Sequence, residues 1–249
     1  MITPSGPENR MKTFLAAILL AMLSTVHAQS DITTDLIAYY PFNGNANDES
    51  GNDNHGTVNG AVLTIGTDGN ADSAYEFNGI NSYISVPGSD SLKSPSTEIT
   101  MIALIHPYGL SKVGSAFGPI LMKSNSTTNA FQYRLSIGSV SIGAAFNNWT
   151  NSSGGIWPIS FNRWHAVAMT LKGDTAKFYL NGKFIGEDSV IGGMIADDRT
   201  LEIGRDTPGA LEVFNGKIDE IKIYSRELTI REVQLASGYF LIDSFESPQ

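Results

Sequence analysis

The stretch Asp219-Glu220-Ile221-Lys222-Ile223-Tyr224 decides how this chain is read. Ile221 and Ile223 alternate with Glu220, Lys222 and Tyr224, the two-residue period of a strand with one face in a core. Asp219 stands at the mouth of that strand. A buried, unpaired carboxylate is very costly, so a group placed there calls for a partner. Far upstream, residues 43–56 are crowded with Asn, Asp, Ser and Gly, whose oxygens can share a cation with Asp219.

The same period recurs on either side. Phe131, Tyr133, Leu135 and Ile137 alternate with Gln132, Arg134 and Ser136. Residues 176–180, then Asn181-Gly182, then 183–185 read as a hairpin, because Asn-Gly suits a type I′ turn whose two central residues take positive φ. Further strands are predicted at 36–42, 74–77, 83–86, 99–105, 164–171, 201–203 and 217–224, with 43–58 a long polar loop. One helix is predicted. Thr229 and Glu232 form a capping box, Ile230, Val233 and Gln234 share a face, and Gly238 ends it. Many short strands with turn signals between them predict an all-β sandwich of two antiparallel sheets.

Composition narrows the function. With 41% apolar residues the chain can bury a sizeable core, and 25 glycines with only 16% charged residues suit strands joined by turns. A formal net charge of -9, with scattered Lys and Arg, excludes a nucleic-acid binder, which needs a basic stripe. There is no cysteine, so a core or a metal must hold the fold. Met1 to Arg10 reads as an upstream extension with Met11 as the start. Lys12, the apolar run 14–23 and Val26-His27-Ala28 read as a secretory signal, too short to span a bilayer of ~30 Å. Residues 1–28 are thus extension and signal, 29–35 a short tail, 36–236 one domain and 237–249 a C-terminal tail. No later segment is expected to span a membrane.

Several ordered pieces together resemble the LamG-like jelly roll of the concanavalin A-like lectin and glucanase superfamily. They are Ala38-Tyr39-Tyr40-Pro41-Phe42, the loop Asp48-Glu49-Ser50-Gly51-Asn52-Asp53-Asn54-His55-Gly56, and Tyr75-Glu76-Phe77-Asn78-Gly79. Trp164-His165-Ala166-Val167-Ala168, Phe178-Tyr179-Leu180-Asn181-Gly182 and Lys217-Ile218-Asp219-Glu220-Ile221 complete the set. The resemblance runs from about Leu36 to about Ala236. It implies a secreted jelly-roll sandwich, often with one calcium near the meeting of the N- and C-terminal segments, that binds glycans or proteins or accompanies catalytic domains.

For a structural Ca²⁺, which takes six to eight oxygen ligands, Asp219 and Asp48 are the carboxylate candidates, with Asn43 and Asn54 adding oxygens. The alternative is that Asp48 and the Asn side chains form turns and that Asp219 accepts backbone N–H groups. Asp68-Gly69-Asn70-Ala71-Asp72 reads as a polar turn rather than an EF-hand, since Ser73 and Gly79 stand where that loop needs Gly and Glu. His55 and His165 read as structural. The polar loop 147–158 is the ligand candidate: Trp149 and Trp157 offer aromatic faces to a sugar ring and Asn148 hydrogen bonds to its hydroxyls. Trp164 reads as core. Retaining glycosidases need two carboxyl groups ~5–5.5 Å apart, and the adjacent pair Asp219-Glu220 points to opposite faces of a strand. The expectation is a monomeric, non-catalytic domain binding a polysaccharide or surface glycan. The alternatives are a cell-surface adhesion module for an envelope protein, and a glycan hydrolase or lyase.

Overall fold

The computed structural model describes residues 32–113, 117–125, 130–139, 141–146, 150–153, 159–190, 194–196, 198–206 and 212–238. The described residues from Asp35 onward form one compact unit, and of residues 1–34 only a turn at 32–34 is described. The signal segment and the end of the C-terminal tail lie outside the described residues.

Among the described residues the strands run, in chain order, β1 (Leu36–Tyr40), β2 (Thr57–Asn59), β3 (Val62–Thr64), β4 (Ala74–Asn78), β5 (Tyr83–Val86), β6 (Glu98–Gly109), β7 (Phe117–Asn125), β8 (Ala130–Gly138), β9 (Ile142–Phe146), β10 (Thr150–Ser153), β11 (His165–Lys172), β12 (Thr175–Leu180), β13 (Lys183–Ser189), β14 (Leu201–Ile203) and β15 (Asn215–Tyr224). Two short helices accompany them, α1 (Asp90–Lys93) and α2 (Ile230–Ala236). The strands form two antiparallel sheets. One has the order β13-β12-β11-β6-β15-β4-β3, with β1 also paired to β15; the other runs β10-β9-β8-β7-β14-β5-β2. This is the jelly-roll sandwich.

The core lies between the sheets. Met101, Ala103 and Ile105 of β6, Val167 and Met169 of β11, and Ile218, Ile221 and Ile223 of β15 meet Leu121, Tyr133, Leu135 and Ile137 from the facing sheet, all buried. Each fully buried Ile or Leu is worth about 1.5–3 kcal/mol by area. Ile218 and Ile221 share the core although an odd spacing should put them on opposite faces. A β-bulge resolves this: Asp219 pairs Leu104 while Lys222 pairs Ile102, so β15 carries one residue more than β6, and Glu220 takes φ 50°.

The Asn181-Gly182 turn has φ 49° and 67°, as the hairpin requires. Thr229 caps α2 and Glu232 closes the capping box, with Gly238 at φ 61° beyond its end. The helix packs Val233 and Ala236 on Ile102, Ala168 and Tyr179, on the outer face of the eight-stranded sheet. Ile230, expected on the packing face, is 46% exposed, because Val233 and Ala236 set the buried stripe. Five strands escape the period-two reading: β2, β3, β7, β9 and β10. They are only three residues long (β2 and β3), wholly polar (β10), or carry Gly, Pro and Ala as in Gly118-Pro119 and Gly143-Ala144-Ala145, and their pairing partners rather than their own propensity make them strands.

Candidate functional site

The bulge in β15 also makes a site. β6 runs along one side of β15. The other side is divided: β4 pairs with residues 215–218, and β1 with residues 221–224. Asp219 and Glu220 fall in the seam between them. There a pocket of about 450 Å³ opens, lined by Asn43, Asp68, Leu104, Asp219 and Glu220 and walled by the C-terminal end of α2.

Asp219 is 3% exposed. Its Oδ2 accepts from Thr67 N at 3.2 Å and Thr67 Oγ1 at 2.9 Å, and its Oδ1 from Glu220 N at 2.8 Å. Burial pushes its carboxyl up to about 6, and the Glu220 charge adds to that against the pull of these hydrogen bonds. Glu220 turns away, taking the Tyr39 hydroxyl at 3.0 Å and the Lys222 ammonium. Lys222 also donates to the Ala236 carbonyl. Among the described residues, Asp219 is therefore a buried carboxylate with no cationic side chain paired to it. Gly66 is required beside it, since a Cβ there would lie 2.5 Å from Ser73 Oγ and 2.9 Å from Asp219 Oδ2. Among the described residues no three His, Asp or Glu are grouped as metal ligands. A cation held by Asp219 would draw on amide, hydroxyl and carbonyl oxygens, and that donor set fits a hard ion.

The candidate metal ligands divide between two places. Asn43 shares the pocket with Asp219. Asp48 and Asn54 knot the loop after β1: Asp48 Oδ1 accepts from Tyr39 N and Ser50 N, and its Oδ2 from Ser50 Oγ and Asn54 N. Asn54 Nδ2 donates to the Ile37 carbonyl and to Ser91 Oγ, and its Oδ1 accepts from Ser89 Oγ. Asp68 holds a turn, accepting from Asn70 N and Ser73 Oγ. His55 Nδ1 accepts from Asp48 N, and His165 Nε2 lies 2.8 Å from the Ser160 carbonyl. Trp149, Trp157 and Asn148 lie outside the described residues.

On the outer face of the seven-stranded sheet, register aligns Ser85, Glu202, Met122, Arg134 and Ala145 across five strands. This face, which alternation leaves to solvent, is closed. Glu212 reaches back to Arg134 at 2.9 Å, while Arg205 and Ser85 hold Glu202, each at 3.0 Å. Glu202 and Arg134 are 2% and 4% exposed.

The outer face of the eight-stranded sheet carries a feature that sequence reasoning missed. Lys217 pairs Glu76 on one side and His106 on the other, so the three side chains share a row. The His106 ring sits edge-on to Tyr108 at 5.5 Å and to Trp164 at 5.4 Å. Tyr108 donates its hydroxyl to Glu76 at 3.0 Å, and burial with that carboxylate pushes its phenol up to about 12. All five side chains are half-buried. Trp164 is not core: it precedes β11 and packs on Leu104 and Ala166, outside the sandwich. The signal was in the sequence, as the alternation of His106 and Tyr108 with buried Ile105 and Pro107.

A family model described as the concanavalin A-like lectin/glucanases superfamily matches residues 77–234, more than half of the chain. The chain belongs to that superfamily. In fold it is similar to domain 4 of AbnA, a GH43 extracellular arabinanase from Geobacillus stearothermophilus, in complex with arabinotriose. The identity is 19% and the TM-score 0.64, over 82% of this chain and 98% of that domain. It is similar also to the binding domain of botulinum neurotoxin DC in complex with SialylT, at 14% identity and TM-score 0.62 over 83% of this chain and 52% of that one. Trypanosoma rangeli sialidase aligns at 16% identity and TM-score 0.61, over 92% of this chain and 39% of the enzyme. The chain thus spans nearly all of the arabinanase domain and about half or less of the other two, and such identities speak for the fold alone. No curated protein matches the sequence.

Proposed function

We propose that this chain is a secreted, non-catalytic carbohydrate-binding domain stiffened by one Ca²⁺. The observation that carries the reading is β10. It is the edge strand of the seven-stranded sheet, its sequence Thr150-Asn151-Ser152-Ser153 is wholly polar, and Trp149 precedes it directly while Trp157 follows four residues after it. An edge strand leaves backbone donors and acceptors unpaired on one side. Two tryptophans in an otherwise polar stretch of sequence suit an oligosaccharide, whose rings pack on aromatic faces while its hydroxyls bond polar groups. The glycans named with two of the neighbouring folds support the same ligand class. The apolar run 14–23 behind Lys12 supports export, and no described helix is long and apolar enough to cross a membrane.

The Ca²⁺ belongs with Asp219 and Asn43 in the β15 seam, where it would neutralise the buried carboxylate and tie the loop after β1 to β15. Asp48 and Asn54 serve it indirectly, by holding the loop that follows Asn43. A glycan array tests the ligand. Binding is expected for the parent chain and at least a tenfold loss for Trp149→Ala, about the value of one stacked ring. Equal binding by the variant would falsify the β10 platform.

A further inference from the structure

We propose that Trp164, His106 and Tyr108, with Glu76 and Lys217, form a second sugar-binding surface that takes one uncharged sugar unit. It rests on the glycan-binding reading above but is built on the other sheet, from β4, β6, β15 and the residue that precedes β11. The three rings stand outside the core and half-buried, with His106 edge to face with both Tyr108 and Trp164. The loop before them adds Phe161, 42% exposed, and is pinned to the end of β6 by Asn162 N donating to the Pro107 carbonyl at 2.7 Å. Half-exposed rings on a sheet face gain when the C–H face of a sugar covers them. The hydroxyls of that sugar both donate and accept, and the row beside the rings offers one strong group of each kind: the Glu76 carboxylate and the Lys217 ammonium, Cα partners on adjacent strands. Their opposite charges offset one another, so a charged ligand gains little there, and Glu76 repels a uronate or sialate. An uncharged pyranose or furanose is the class that uses rings and ions together. The groups are also preorganised: the Tyr108 hydroxyl fixes Glu76, and Lys217 donates to the Ile65 carbonyl at 3.3 Å.

The chain has three tryptophans, at 149, 157 and 164, so three indole N–H resonances can be assigned from three Trp→Phe variants. The labelled protein is titrated with arabinotriose and cellotetraose as uncharged probes and with sialyllactose as the acidic one. The expected result is a shift of the Trp164 resonance with an uncharged probe, retained in Trp149→Phe. Glu76→Gln should weaken that shift's affinity about tenfold, the loss of a hydrogen bond to a charged group, with the melting temperature unchanged. Shifts at Trp149 or Trp157 without any at Trp164 overturn the second surface and leave the β10 reading standing. No shift at any indole removes both. A response of Trp164 to sialyllactose alone, or unaltered affinity in Glu76→Gln, overturns the assignment to uncharged sugars.

Discussion

At the scale of the residue, the seam in β15 concentrates the tension of this fold. Asp219 is buried with no cationic side chain paired to it among the described residues, and burial raises its carboxyl from the ordinary 3.8 to about 6. A folded-state value above the unfolded one means that the native state holds the proton more tightly. Its contribution to stability is then present at low pH and is lost as pH rises from about 4 through about 6. In chelator, melting measured from pH 7 down to pH 5 should therefore show this group stabilising the fold, with a slope no steeper than about 1.4 kcal/mol per pH unit. Asp219→Asn should remove that part of the slope, and an identical pH profile for the two proteins would count against a strained carboxylate. Gly66 has a sterically determined role in the same place. Gly66→Ala is expected to cost about 1–3 kcal/mol in denaturant unfolding, since the new Cβ meets Ser73 backbone and side chain as well as Asp219.

At the scale of the element, α2 separates local from tertiary causes. Its start is local: the Thr229 hydroxyl accepts from Glu232 N, and Glu232 accepts from Thr229 N. Thr229→Ala should cost ~1 kcal/mol. Its buried stripe is tertiary. Val233 and Ala236 face the sheet, whereas Ile230, although apolar and on the first turn, lies 46% exposed. Ile230→Ala should move the unfolding midpoint much less than Val233→Ala, which empties a site 1% exposed. Equal effects would show that the helix docks in a different rotation. β15 teaches the same lesson. Its alternation is visible as Ile221 and Ile223, but the extra residue at Glu220 that brings Ile218 to the same side emerges only from pairing with β6.

At the scale of the whole molecule, one ion at the seam would join the first and last strands of the described domain, because β1 and β15 are neighbours although nearly two hundred residues of sequence separate them. Removing Ca²⁺ with a chelator should lower the melting temperature, by an amount set by RT ln(1 + [L]/Kd), or ~2.7 kcal/mol at a hundredfold excess of ion over Kd. Asp219→Ala should abolish the difference between the chelated and the Ca²⁺-loaded protein, and a difference that survives in the variant would place the ion elsewhere. Much of the fold was legible beforehand. The strands of strong alternation, the Asn181-Gly182 hairpin and the capped helix are written in spacings of two to four residues, and such spacings act through local sterics and hydrogen bonds. The weak strands were not legible, because Thr57-Val58-Asn59 or Gly143-Ala144-Ala145 becomes a strand only beside a partner. The site divides in the same way. Asp219 announced itself as a carboxylate at the mouth of an apolar strand. That Asn43 joins it while Asp48 and Asn54 hold a separate loop, and that Trp164 leaves the core to stand by His106 and Tyr108, follows from which strands lie side by side. The sequence by itself determined the all-β sandwich, since side-chain period needs no distant information. Tertiary structure alone decided which polar groups meet, since register and the bulge at Glu220 choose the face on which each one stands.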